Sequence, residues 1–173
     1  MSRIHTYKGR EVTVTFETGR CIHAAECLRA LPEVFDTGRT PWIAPDGAAG
    51  DAVAAAVARC PTGALKLAAA SGWSESPEAV GSVQVRARGP LYLRGRLRVL
   101  DAEGRTVVED TRLALCRCGA SAAKPFCDNR HRALPFEDPG LMGPRPADPP
   151  GEGGELRLMP QPNGPLKIEG PVV

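Results

Sequence analysis

The sequence predicts an α+β chain made of two small modules, the first with two helices against short strands and the second rich in strands. The chain has 173 residues, which is enough for two small domains. Its six cysteines form two groups, three within residues 21–60 and three within residues 116–127. A stretch rich in small residues separates the two groups. We therefore predict modules at residues 1–70 and 83–173, joined by a linker at residues 71–82.

The first module begins with an alternating pattern that predicts two short strands joined near residues 8–9. The apolar positions of this pattern are Ile4, Val12, Val14 and Phe16. A short helix is predicted over residues 24–31, ending before Pro32 because the residue before a proline avoids the helical region. A second helix is predicted over residues 51–59 with Asp51 as its cap. Residues 64–67 resume an extended conformation.

The second module shows alternation again, at Val83, Val85, Leu91, Leu93, Leu97 and Val99. Residues 101–104 are typical of a hairpin turn, and residues 106–108 return as a strand. Residues 138–153 are rich in proline and glycine, which favours an irregular loop, and late strands are predicted at residues 155–159 and 166–168. Residues 89–95 resemble residues 164–170, so the two segments are either two strands that pair in one sheet or a chance similarity.

The composition favours a modest core held together by something besides apolar contacts. There are 19 glycines and 17 prolines, and only 5% of the residues are aromatic. Small domains of this kind usually need disulfides or metals for stability. The net charge of +2 indicates no particular partner. The arginines between residues 86 and 98 are interpreted as a solvated strand face and not as a nucleic-acid site, because no binding motif accompanies them.

The cellular setting is predicted from what the sequence lacks. The first residues carry no apolar run typical of a secretory signal, and no stretch approaches the roughly 20 apolar residues that span a bilayer. We therefore expect a cytoplasmic protein without a membrane partner. Clustered cysteines in a reducing compartment indicate metal or redox sites before disulfides. No nucleophile–base pair, phosphate loop or dinucleotide fingerprint is present, so we do not expect an enzyme.

The later cysteines form a compact constellation with one histidine: Cys116, Cys118, Cys127 and His131. Cys116 and Cys118 are too close in sequence for an unstrained disulfide. His131 follows Cys127 by four residues, so on one helical turn both side chains can point to the same metal. Asp128 is expected to cap that helix. Three cysteines and a histidine also suit a structural zinc site, which remains an alternative.

Residues 116–131 resemble the CDGSH, or mitoNEET-type, family. The match covers the two leading cysteines, Ser121, Pro125, the Cys127–Asp128 pair and His131. Asn129 and Arg130 replace the glycine and the serine or threonine of the family signature. Asn tolerates a positive φ better than most residues do. The resemblance implies a 2Fe-2S cluster on these four ligands, with the His131-bound iron towards solvent and a potential above that of an all-cysteine cluster.

The earlier cysteines resemble the loop of a single-cluster ferredoxin. Cys21 and Cys27 stand at positions 0 and 6 of such a loop, and Cys60 precedes Pro61, but Ala24 occupies position 3. The resemblance to the divergent mono-cluster ferredoxin domain spans residues 5–67 and implies a ferredoxin-like module.

Three thiolates suit a 3Fe-4S cluster, which needs no fourth ligand. A 4Fe-4S cluster would need a non-cysteine ligand, such as solvent or His23. Alternatively, no cluster binds and the three cysteines are buried free thiols.

Together the two sites favour electron transfer between clusters of different potential, with a redox partner protein docking near an exposed cluster edge. The alternative is cluster storage, transfer to an apo iron–sulfur acceptor, or redox and pH sensing, because His131 titrates near physiological pH. The CDGSH resemblance is also compatible with a homodimer.

Overall fold

The computed structural model describes residues 2–68, 72–73, 75–141, 143, 153–161 and 165–172. The chain divides into two compact units, Met1–Glu75 and Ser76–Val173, and each is presented by itself. Within the described ranges, none of the helices combines the length and apolar character that crossing a membrane requires.

The first unit contains a three-stranded antiparallel sheet and two short helices. Its elements are β1 (Ile4–Lys8), β2 (Thr13–Glu17), α1 (Glu26–Ala30), α2 (Gly50–Ala58) and β3 (Leu65–Leu67). The strand order is β1-β2-β3, so the two predicted strands and the late extended segment form one sheet. The core between the sheet and the helices includes the fully buried Val14, Phe35, Ile43 and Val53.

The first helix is shorter than predicted at its start. His23 and Ala25 have φ angles of 54° and 60°, in the left-handed region. A right-handed helix cannot include such residues. Helix α1 therefore begins only at Glu26, and residues 24–25 belong to the preceding loop.

The second helix is capped by a side chain that is distant in sequence, Glu11, so the predicted cap on Asp51 is wrong. The carboxylate of Glu11 accepts the Gly50 backbone N–H at 2.8 Å. The carboxylate of Asp51 instead accepts the N–H of its neighbour Ala52 at 2.7 Å. Glu11 lies 39 residues before Gly50, which is why local sequence rules do not identify it.

The second unit is a five-stranded sheet built around one long strand. Its strands are β4 (Ser82–Val85), β5 (Leu91–Leu100), β6 (Thr106–Leu115), β7 (Glu155–Pro160) and β8 (Leu166–Glu169). Strand β6 pairs with β5 in antiparallel fashion over its length. The other edge of β5 is shared, because β4 pairs with residues 91–94 and β7 pairs in parallel with residues 96–99. Gly95, with φ at 122°, lies where one partner gives way to the other.

Two predictions for this unit need correction. Strand β6 does not end near Val108 but continues to Leu115, which brings it directly to Cys116. The two similar segments do not pair with each other, because β8 pairs with β7, and β7 lies between β8 and β5. Within the predicted irregular loop at residues 138–153, residues 142 and 144–152 lie outside the described ranges.

Candidate metal centres

The later cysteines lie on a loop that closes against the end of β6. The Cys127 backbone N–H donates to the Ala114 carbonyl at 2.8 Å, and the Cys116 N–H donates to the Pro125 carbonyl at 2.9 Å. Leu115 and Phe126 form an isolated bridge between the two sides. These contacts bring Cys127 back beside Cys116, although eleven positions separate them in sequence.

Two polar side chains fix the shape of this loop. The buried Ser121 hydroxyl donates to the Phe126 carbonyl at 2.7 Å and accepts from the Ala123 N–H at 3.0 Å. The Asp128 carboxylate accepts the backbone N–H groups of Ala122 at 2.9 Å and Arg130 at 3.2 Å. The loop therefore keeps its shape through hydrogen bonds made by the chain itself.

The four candidate ligands form two close pairs. The Sγ atoms of Cys116 and Cys118 are 3.7 Å apart, and Cys127 Sγ lies 3.6 Å from His131 Nδ1. Across the part of the chain that the structure describes, no group of three or more His, Cys, Asp or Glu residues is placed to hold a single metal ion. Thiolate and imidazole donors in two pairs fit a cluster in which each of two irons takes two protein ligands.

The prediction that His131 and Cys127 lie on one helical turn is wrong. His131 lies in a short 3-10 turn, Arg130–Ala133. Asn129 precedes the turn with φ at 69°, which breaks any helical path from Cys127. Asn is among the few non-glycine residues that adopt this conformation readily. Its N–H lies 3.4 Å from Cys127 Sγ, so the left-handed backbone aims a donor at the candidate ligand.

Burial is the main cause of the pKa shifts of the candidate ligands Cys127 and His131. Burial, followed by the nearby charge of Arg132, lowers the pKa of His131. A lowered pKa favours the neutral imidazole near pH 7, which is the form that binds metal. Burial also raises the pKa of the Cys127 thiol, although the Asn129 N–H opposes that shift. The thiolate at Cys127 therefore needs a bound cation to be favoured.

Arg117 is a functional candidate that the sequence did not indicate. Its guanidinium donates to the carbonyls of Gly89 at 2.9 Å and Arg86 at 2.6 Å, and it forms an ion pair with Asp138 at 2.9 Å. It also lies 5.4 Å from the centre of the Phe136 ring. Arg117 thus joins the ligand loop to the turn before β5 and to the segment after His131. The two carbonyl partners, Gly89 and Arg86, precede Arg117 by 28 or more positions, so no local motif reveals them.

The earlier cysteines face a common cavity in the first unit. Cys21 follows a 3-10 turn, Cys27 lies in α1, and Cys60 follows α2. All three line a small, partly open cavity of about 30 Å³ whose other lining residues are mostly apolar. This lining includes Phe16, Ile22, Ala24, Ala25, Glu26, Trp42, Pro61, Thr62, Ala64 and Leu65.

The thiols at this cavity influence one another. Burial raises the pKa of both Cys21 and Cys27, and the charge of Cys60 raises both further. The backbone N–H of His23 faces Cys21 and opposes its shift. Three thiols converging on one apolar cavity, with backbone donors aimed at sulfur, are a donor set that fits an iron–sulfur cluster.

A buried arginine links the two loops that carry these thiols. Arg20 precedes Cys21, and its side chain is only 9% exposed. Its guanidinium donates to the carbonyl of Thr62 and lies 3.9 Å from the Glu17 carboxylate. The Thr62 hydroxyl is 3.5 Å from Cys60 Sγ. Arg20 therefore fixes the Cys21 loop against the Cys60 loop.

The position of the missing fourth thiolate is occupied by Ala24, which lines the cavity. His23, the candidate nitrogen ligand, is exposed and is not part of the described lining. Glu26 does line the cavity, but its carboxylate is engaged with Arg29 at 2.6 Å.

Comparisons with known proteins match one segment of each unit to a family model. Residues 7–70 match a family model described as a divergent 4Fe-4S mono-cluster. Residues 88–132 match a family model described as an iron-binding zinc finger of CDGSH type. The first match contains the three earlier cysteines, and the second contains the three later cysteines and the histidine that follows them.

A segment of 60 residues also resembles a curated protein, uncharacterized protein YjdI of Escherichia coli strain K12. The two are 38% identical over 60 residues, which are 35% of this chain and 79% of YjdI. YjdI of Escherichia coli O157:H7 matches to the same extent. No solved structure matches the chain.

Proposed function

Because the chain belongs to the divergent 4Fe-4S mono-cluster family and carries a CDGSH-type iron-binding domain, it is an iron–sulfur protein, and we propose that it binds two clusters and acts in electron transfer. One observation supports the proposal: each compact unit brings together its own set of candidate ligands. When bound, such clusters supply reversible one-electron chemistry. A redox carrier that is not itself an enzyme needs no more than this.

We assign the second cluster as 2Fe-2S on Cys116, Cys118, Cys127 and His131. The division of these ligands into two close pairs supports two irons over a single zinc ion. His131, with its neutral imidazole, would replace a thiolate at one iron and reduce the negative charge of the site. The potential is then expected above that of an all-cysteine cluster.

We assign the first cluster as 3Fe-4S on Cys21, Cys27 and Cys60. The presence of Ala24 where a fourth thiolate would stand supports this assignment, and so does the exposure of His23. The alternative is a 4Fe-4S cluster with a non-cysteine fourth ligand, which the description of the family model favours.

The test is electron paramagnetic resonance of anaerobically purified protein, oxidised and reduced, together with iron and sulfide assays. A three-iron cluster gives a signal in the oxidised protein, whereas a four-iron cluster gives its signal after reduction. Detection of both a 2Fe-2S signal on reduction and a separate first-unit signal is expected. Zinc in place of iron at the second site would contradict the proposal.

Cluster delivery to an apo iron–sulfur acceptor is the second candidate function. The half-buried position of His131 favours it, because a ligand near solvent can be exchanged more readily. Holo-protein mixed with an apo-ferredoxin separates the two functions. Rapid transfer of iron and sulfide supports delivery, while stable clusters that reduce and reoxidise reversibly support a carrier.

A further inference from the structure

The surface near His131 holds more positive charge than its own carboxylates neutralise. Each nearby carboxylate already has an arginine partner. These ion pairs are Asp128–Arg130 at 3.4 Å, Glu137–Arg88 at 2.6 Å and Asp138–Arg117 at 2.9 Å. Acidic groups of the loop are therefore unavailable to offset any further cation.

Two further cations remain next to the ligands. Lys124 and Arg132 are both exposed, and within the described residues neither lies at ion-pair distance from a carboxylate. Lys124 precedes Pro125, whose carbonyl accepts the Cys116 N–H. Arg132 follows His131 directly in the same 3-10 turn, Arg130–Ala133. One of these cations thus lies within the ligand loop, and the other follows its last candidate ligand.

An apolar side chain completes this surface. Leu134 ends the turn that carries His131 and is 44% exposed. Protein–protein interfaces combine an apolar centre with a polar rim, and Leu134 can contribute to such a centre. Charged residues at the border mainly set the association rate and the choice of partner.

We propose that the surface formed by Lys124, His131, Arg132 and Leu134 is the docking surface for an acidic redox protein. This rests on the proposed electron-transfer function. The step it serves is the transfer of one electron from the reduced cluster to the oxidised metal centre of the partner, with no bond formed and no proton moved. A nucleic acid fits less well, because its affinity depends on many phosphate contacts and this surface offers two free cations.

The test compares two one-electron acceptors of opposite surface charge, using the full chain in its reduced holo form. Oxidised plastocyanin is acidic and accepts an electron at copper, whereas ferricytochrome c is basic and accepts one at haem iron. Stopped-flow mixing at low and high salt gives the two rates. At low salt we expect plastocyanin to react about tenfold faster, and added salt to slow it while it speeds cytochrome c.

The variants identify the surface. The double variant Lys124→Gln with Arg132→Gln should lower the plastocyanin rate severalfold at low salt and leave it unchanged at high salt. Arg96→Gln is the control, because Arg96 is an exposed cation on β5 away from the ligand loop. The end of β5 next to that loop is Leu91, which pairs with Leu115, and Arg96 lies five positions further along the strand. The spectrum of His131→Cys identifies which kinetic phase belongs to this cluster. An unchanged visible spectrum in the double variant shows that its cluster is intact.

The outcomes separate the docking surface from the function itself. If the clusters do not reduce and reoxidise reversibly, the proposed function fails. If they do, but both acceptors show the same salt dependence, or if Arg96→Gln slows plastocyanin as much as the double variant does, the docking surface is overturned. Tighter binding of a labelled single-stranded RNA than of plastocyanin, at physiological salt, would also overturn it.

Discussion

Ala24 occupies the position at which a fourth cysteine would complete the ligands of a four-iron cluster. It lines the cavity together with Cys21, Cys27 and Cys60. The substitution Ala24→Cys adds a thiol at that wall by lengthening the side chain by a single sulfur atom. We expect the variant to hold a 4Fe-4S cluster, seen as loss of the oxidised resonance signal and gain of a reduced one.

His23→Ala is the control for this prediction. Its side chain is exposed and lies outside the described cavity lining, so its loss should leave the cluster type unchanged. The substitution places alanine at a residue with φ at 54°, which costs some backbone strain, so the iron content must be measured as well. A changed resonance signal in His23→Ala at full iron content would mean that His23 is a ligand.

The structural role of some single residues can be predicted from the sequence, whereas the role of others cannot. Asn129 could be interpreted in advance, because its place in the motif belongs to a glycine and Asn tolerates a positive φ; the structure has it at 69°. Arg117 and Glu11 could not, because both act on partners far along the chain. The importance of such residues arises only when the fold brings their partners close.

The shape of the ligand loop depends on the contacts that the Arg117 side chain makes with neighbouring segments. The substitution Arg117→Lys keeps the charge but cannot reproduce a planar group that reaches two carbonyls and one carboxylate at once. Loss of such support around metal ligands typically weakens binding by tenfold or more. We expect the second cluster to be lost about tenfold faster in the presence of a chelator, followed by its visible absorption.

Arg132→Lys is the matched control for the loop, since Arg132 is exposed and has no ion pair among the described residues. Its cluster should decay at the rate of the unchanged protein. Equal decay in Arg117→Lys and in the unchanged protein would show that the loop holds its shape through Ser121 and Asp128 alone.

At the level of helices and strands, periodicity predicted where elements are but not how they end or pair. The alternating residues gave β1, β2, β4 and β5, because side-chain alternation reflects local geometry. The start of α1, the cap of α2 and the full length of β6 depend on distant contacts or on backbone angles. The similarity of β5 and β8 suggested that they pair with each other, but β7 lies between them, and sequence similarity does not indicate which strands are neighbours.

The molecule as a whole combines two units with separate cores. One core joins the three-stranded sheet to its two helices, and the other lies on the five-stranded sheet. Each set of candidate ligands lies within a single unit. Cys60 follows α2 in the first unit, and Cys116 follows β6 in the second. The cysteine grouping in the sequence predicts two separate sets of ligands, and the two groups of cysteines lie in different compact units.

Independent cores predict independent cluster loss. The substitution Cys116→Ser removes a ligand of the second site and should abolish the 2Fe-2S signal while the first-unit signal persists at full intensity. Cys21→Ser should do the reverse, because neither substitution alters a residue of the other core. Resonance spectra and iron content of the two variants, purified without oxygen, measure this directly. Loss of both signals in either variant would mean that the units are stable only together, since a cluster lost from one would then unfold the site of the other.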